Sequence, residues 1–105
     1  MKEIPVKQYH KMKQRYPQLL DAVEALGVAV AKAGPLGEKS RQLVQLAAAA
    51  AIRSEGAVHS HARRAIKAGA SAEEVRHTIM LLTSTIGFPT VVAAMTWADD
   101  ILEPG

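Results

Sequence analysis

Cysteine is absent from the 105-residue chain. That excludes disulfides, thiolate zinc sites and any thiol catalysis by this chain. Long apolar runs are missing too. The longest, Leu46–Ile52, is mostly alanine and far short of the roughly 18 residues that cross a bilayer, so no membrane partner is expected. No basic-then-apolar leader with a small-residue cleavage site opens the chain, and a cytoplasmic location is the expectation. Aromatics make up only 4% of residues: Tyr9, Tyr16, Phe88 and Trp97. Charge of one sign is also in short supply. Thirteen Lys+Arg against ten Asp+Glu leave a net +3, too little for a nucleic-acid binder. The early basic residues Lys2, Lys7, Lys11, Lys13 and Arg15 read as a solvated helix face.

What is present is the balance of an ordinary globular protein, 49% hydrophobic and 22% charged, which excludes general disorder. With few rings and much alanine, the core must be thin and built from closely approaching helices. Such a core leaves apolar surface uncovered, so self-association is expected.

Punctuation divides the chain into helices. Pro5 and Pro17 each suit a first helical turn, where the missing N–H costs nothing. Tyr9, Met12 and Tyr16 form one stripe; Leu19, Val23, Leu26 and Val30 form the next. Gly34-Pro35-Leu36-Gly37 ends that helix and is the clearest linker. A third helix is expected over 38–53 with Leu43, Ala47, Ala50 and Ser54 on one line, and Gly56 permits a break after it. A fourth, over 57–68, ends at Gly69, and Ser71-Ala72-Glu73-Glu74 is a capping box opening a fifth. That fifth helix carries Val75, Ile79, Leu82 and Ile86 to Gly87; Phe88-Pro89 opens a sixth with Val91, Met95, Ala98 and Leu102. No stretch alternates with period two. The expected fold is all-α, a single domain over 1–105 of about six helices, with a helix pair over 5–33 preceding a core over 36–102.

Histidine is the most suggestive residue type. His59 and His61 are two residues apart, so on a helix they point in different directions. Glu55 and His59 share a face but supply two metal ligands at most; a third would come from elsewhere, such as His77. No metal site is assigned, and His59 and His77 are expected to face solvent. His61 is different, because Val58, Ala62 and Ala65 are its neighbours on the helix. An imidazole on an apolar face must be hydrogen-bonded. It is either a satisfied core histidine or a functional one. Asp99, Asp100 and Glu103 crowd a helix C-terminus, where negative charge is mildly unfavourable; pairing with the basic first helix, of the same or another subunit, is expected.

Ser54-Glu55-Gly56-Ala57-Val58-His59-Ser60-His61, then Ala65, Ala68-Gly69-Ala70-Ser71 and Glu74-Val75, resembles the signature of the carboxymuconolactone decarboxylase / AhpD-like family. The upstream helix with Lys39, Arg41 and Leu43, and Gly87-Phe88-Pro89 leading into the last helix, extend the likeness over 36–102. The redox branch of that family carries Cys-x-x-Cys-x-x-x-His, with an upstream glutamate. By position, the two cysteines fall on Ser54 and Ala57, the histidine on His61 and the glutamate on Gln42. Only the histidine is retained.

Peroxide reduction needs a thiolate that is both ionised and oxidisable. A serine hydroxyl, an alanine and a glutamine cannot run that cycle, so thiol peroxidase activity is expected to be absent. The resemblance therefore implies a small-molecule acid–base enzyme or ligand binder centred on His61 and Ser54, without a cofactor, with Arg41 and His59 as possible substrate-binding residues. One alternative is a non-catalytic oligomeric scaffold or partner-binding protein. A second is a γ-carboxymuconolactone decarboxylase-type lyase, whose acidic residue four before the histidine is here Ala57. The resemblance also implies a homo-oligomer, a trimer or hexamer built from dimers.

Overall fold

The computed structural model describes residues 4–104, with side chains from Lys7 onward. All regular structure among them is helical: α1 (Ile4–Arg15), α2 (Pro17–Lys32), α3 (Glu38–Ala51), α4 (Glu55–Lys67), α5 (Ala72–Met80), α6 (Thr83–Ile86) and α7 (Phe88–Leu102). No described helix is long and apolar enough to cross a membrane. The chain divides into two compact units, Met1–Leu36 and Gly37–Gly105. The division falls within the Gly34–Gly37 segment.

In the first unit, α1 packs on α2. Pro17 occupies the first turn of α2, where its fixed φ suits the helix and no N–H is needed. Lys13 Nζ lies 2.9 Å from the Glu24 carboxylate across the pair, a solvated contact of small energetic value. Lys7, Lys11, Lys13 and Arg15 are exposed, as a solvated face should be, while Lys2 lies outside the described residues. The apolar stripe of α2 departs from expectation. Leu20 is buried, but Leu19, Val23, Leu26 and Val30 are each more than half exposed.

The second unit has the thin core that the composition demands. Leu46, Val58, Val75 and Ile79 are its largest fully buried side chains, and Ala49, Ala50, Ala62, Ala65, Ala94 and Ala98 fill most of the rest. Each large side chain contributes about 1.5–3 kcal/mol by leaving water. The alanines contribute little area but let helix backbones approach. α4 runs through the middle, packed against α3 and α7.

The connections follow from local chemistry. At the end of α4, the Gly69 amide bonds the Ile66 carbonyl and the Ala70 amide bonds that of Ala65. This is a Schellman closure around a left-handed residue, with Gly69 at φ 104°. The end of α3 closes the same way, Arg53 N to Ala50 O and Ser54 N to Ala49 O. Here the left-handed position holds an arginine, Arg53 at φ 56°, at a cost of order 1 kcal/mol. Its guanidinium donates to Thr90 Oγ1 at 3.0 Å and so ties this turn to the start of α7.

The capping box forms as expected. Ser71 Oγ accepts from the Glu74 amide at 3.0 Å, and Glu74 Oε1 accepts from the Ser71 amide at 2.9 Å. The Ser71 amide, and then Lys39 from α3, hold the Glu74 carboxyl below the usual carboxylate range.

Two boundaries differ from the sequence expectation. α4 begins at Glu55 rather than near Ala57, because the break falls at Arg53 and Ser54 and not at Gly56. The expected continuous fifth helix is interrupted after Met80, giving seven elements instead of about six. There the Leu82 amide bonds the Ile79 carbonyl, three residues back rather than four, and the Thr83 hydroxyl donates to the Met80 carbonyl at 2.7 Å. At the acidic end of α7, Arg76 on α5 takes Asp99 at 3.2 Å and Glu103 at 2.9 Å.

Gly69 gives a clean test of the second closure. A Cβ built there meets nothing within 4 Å, so Gly69→Ala costs backbone strain alone. Denaturant unfolding is expected to show a loss of about 1–2 kcal/mol, with the native circular dichroism spectrum unchanged.

Candidate functional site

Two polar constellations flank α4, one toward α3 and one toward α7. The first is the pair that sequence position brought together. Gln42 is buried on α3 at 8% exposure, and its Oε1 lies 2.8 Å from Nδ1 of the half-buried His61 on α4. A carbonyl oxygen only accepts, so Nδ1 carries the proton. The neutral ring then presents Nε2 as a bare lone pair, and no hydrogen bond from a described residue occupies it. Desolvation, and secondly the Arg64 guanidinium one helical turn on, push the His61 pKa below its ordinary 6.5. The imidazole is therefore neutral at pH 7, with one nitrogen oriented and the other available.

Ser54 is the N-cap of α4. Its backbone is extended, and its Oγ accepts from the Ala57 amide at 3.3 Å. The expected single line of Ser54, Ala57, Val58 and His61 therefore starts one residue outside the helix. Among the described residues no hydrogen bond joins Ser54 to His61, so the two do not form a serine–imidazole relay. While capping, the hydroxyl keeps its own proton to donate. Ala57 is half-buried one turn inside the helix and offers no functional group. Arg41 is half-buried in the first turn of α3, beside Gln42 in sequence.

The second constellation corrects the sequence reading. His59, expected to face solvent and a possible substrate-binding residue, is 3% exposed. Its Nε2 lies 3.0 Å from Asp100 Oδ2 on α7 and 3.9 Å from Glu55 Oε2 one turn earlier on α4. The reason is the packing of α4: the face opposite Gln42 is covered by α7. His77, considered as a third partner for Glu55 and His59, is exposed on α5; Asp100 takes that place. Asp100 was missed because it was read as part of an acidic helix end. A usable signal was present, since Ala93, Trp97 and Asp100 stand at i, i+4, i+7 on α7 and all are half-buried.

What fold and site define is a cysteine-free, all-helical domain with an imidazole held by an amide across one helical hairpin. The chain belongs to the carboxymuconolactone decarboxylase family, whose model matches residues 17–100. It is similar to a carboxymuconolactone decarboxylase family protein from Legionella pneumophila, solved in its apo form. The TM-score is 0.81 at 26% identity, over 93% of this chain and 88% of that one. An uncharacterized protein of Methanocaldococcus jannaschii is 27% identical over 92 residues, 88% of this chain and 86% of the relative. An uncharacterized protein of Haemophilus influenzae is 42% identical over 59 residues, 56% of this chain; the match spans about half of that relative, 52%.

The Gln42–His61 bond makes an electrostatic prediction. Replacing the amide by a carboxylate in Gln42→Glu sets an anion against the ring and favours the imidazolium. The His61 midpoint, followed by NMR of the ring protons against pH, is expected to rise from below 6.5 in the natural protein to above 6.5 in the variant. In the natural protein the lowered folded-state value has a definite sign. The unfolded chain binds the proton first, so this group's contribution to stability is complete above pH 6.5. It is lost as the pH falls through the folded-state value.

Proposed function

We propose that this chain performs acid–base chemistry on a small carbonyl or carboxylic acid compound, or binds such a compound, at His61 rather than reducing peroxides through thiols. One observation carries the reading: the Gln42 carbonyl accepts a hydrogen bond from the Nδ1 N–H at 2.8 Å and leaves Nε2 to act. A base needs a fixed tautomer and a free lone pair aimed at its substrate, and this contact supplies the first and permits the second.

Nε2 takes a proton from an acidic C–H or O–H of the bound compound, and the bonding electrons stay on the substrate as an enolate or oxyanion. The imidazolium then keeps both protons, because an amide cannot accept the Nδ1 proton as a carboxylate would. The same proton returns to the substrate or leaves to water. This chemistry has the form of an isomerisation or exchange and needs no redox partner. Ser54, with its hydroxyl proton unspent, and Arg41 are the polar groups we assign to holding the compound's oxygens. A cytoplasmic setting and a homo-oligomer, a trimer or hexamer built from dimers, belong to the same proposal.

A non-catalytic oligomeric scaffold is the second reading. It is favoured by the row of Leu19, Val23, Leu26 and Val30, each more than half exposed on α2. A γ-carboxymuconolactone decarboxylase-type lyase fits less well, because Ala57 leaves empty the acidic position expected four residues before the histidine.

Two measurements separate these readings. With a dithiol reductant and hydrogen peroxide, the pure protein is expected to consume no peroxide above the buffer rate; turnover would defeat the proposal. In deuterated water, small keto acids and lactones screened by NMR are expected to exchange an acidic C–H faster with the protein present. His61→Ala should slow that exchange by about a hundredfold, the usual contribution of a positioned base. Exchange that survives the substitution excludes His61. If no compound exchanges or binds and the oligomer depends on His61, the scaffold reading stands.

A further inference from the structure

We propose that Glu55, His59 and Asp100 form a binding site for one divalent transition-metal ion, on the face of α4 opposite the Gln42–His61 pair. One ligand atom from each of the three residues lies within 4.8 Å of the others.

The separations suit a shared ion. Two donors each about 2.1 Å from a metal and at right angles stand about 3.0 Å apart. His59 Nε2 and Asp100 Oδ2 are 3.0 Å apart. Glu55 Oε2 is 3.9 Å from His59 Nε2, wider than the roughly 3.4 Å between two ligands of a tetrahedral zinc, and would have to draw in. The Glu55 side chain, 58% exposed, is free to make the small adjustment needed.

Charge points the same way. The one proton on His59 Nε2 serves Asp100, and at 3.9 Å Glu55 is beyond hydrogen-bond reach of it. Two carboxylates thus face one ring nitrogen, and a divalent cation placed between them would be attracted by both. The ring is also an unusual element to bury for an ion pair alone. It is 3% exposed. Burial on this scale holds the nitrogen donor rigid, as a metal ligand requires.

Exposure is graded across the set, from 4% for the His59 side chain through 22% for Asp100 to 58% for Glu55. The ion would rest on the buried ring with its remaining positions toward water. The donor set chooses the metal. One imidazole and two carboxylates suit zinc, manganese, cobalt or ferrous iron, whereas magnesium and calcium prefer oxygen donors alone. With three protein ligands and open positions, the site has the form of a catalytic rather than a closed structural centre.

The test is calorimetric titration of the chelator-treated full-length protein with zinc chloride, repeated with manganese chloride. One zinc per chain is expected, with Tm raised at saturation. Asp100→Asn should weaken binding about a hundredfold and Glu55→Gln about tenfold. His61→Ala, His10→Ala and His77→Ala should leave it unchanged. Glu55 is on the surface, so Glu55→Gln remains decisive if Asp100→Asn disturbs folding. Cobalt in place of zinc should give visible absorption bands that Glu55→Gln alters. No saturable zinc or manganese binding, or binding that Glu55→Gln leaves untouched, overturns the proposal and leaves a His59–Asp100 hydrogen bond without an ion. Because the readout is binding and not turnover, this result is independent of the chemistry assigned to His61.

Discussion

Everything in the second unit depends on how closely α4 is held between α3 and α7. Alanine makes that possible: Ala49, Ala50, Ala62, Ala65, Ala94 and Ala98 are all buried. Small side chains bring backbones together, so that a polar side chain on one helix reaches its neighbour directly. The 2.8 Å bond from His61 to Gln42 and the 3.0 Å bond from His59 to Asp100 are the two products of this packing. A core of larger residues would widen the gaps, and both imidazoles would have to find other partners. Burial makes those partners obligatory, since an unsatisfied polar group in such a core costs about 1–3 kcal/mol. The two contacts therefore also register the three helices against one another.

The turn before α4 sets where that helix begins. Arg53 accepts a left-handed backbone and Ser54 caps the helix. The resemblance to the family's redox branch puts its first cysteine at Ser54. The helix N-terminus that would favour a thiolate there now supports only a hydroxyl. Gln42 orients the ring as a carboxylate would, but an amide cannot take its proton. Within one helix, α4, side chains two residues apart face opposite neighbours, and the sites at His61 and His59 are chemically separate for that reason.

Much of this was legible in the residues. Gly69 and the Ser71–Glu74 capping box marked a helix end and a helix start through local hydrogen bonds that need no tertiary partner. The stripe Val75, Ile79, Leu82 and Ile86 was read as one face, and all four reach the core, although the helix carrying them is interrupted. That interruption is not legible, because the period of the stripe continues through it. By residue type glycine is the natural breaker, which puts the start of α4 after Gly56, whereas the left-handed residue is Arg53. The stripe of α2 was read correctly as apolar, yet period alone does not say what covers it.

The sequence by itself determined the helical class, the caps, the absence of any thiol and, through position within a family signature, where Gln42 and His61 stand. These depend on neighbours along the chain or on residue identity. Only the tertiary structure decided that His59 is buried and that Asp100 is its partner. Which way a helix faces is set by the helices packed on both sides of it, and 41 residues of chain separate those two side chains. Spacing within one helix carries no information about the rotation of another.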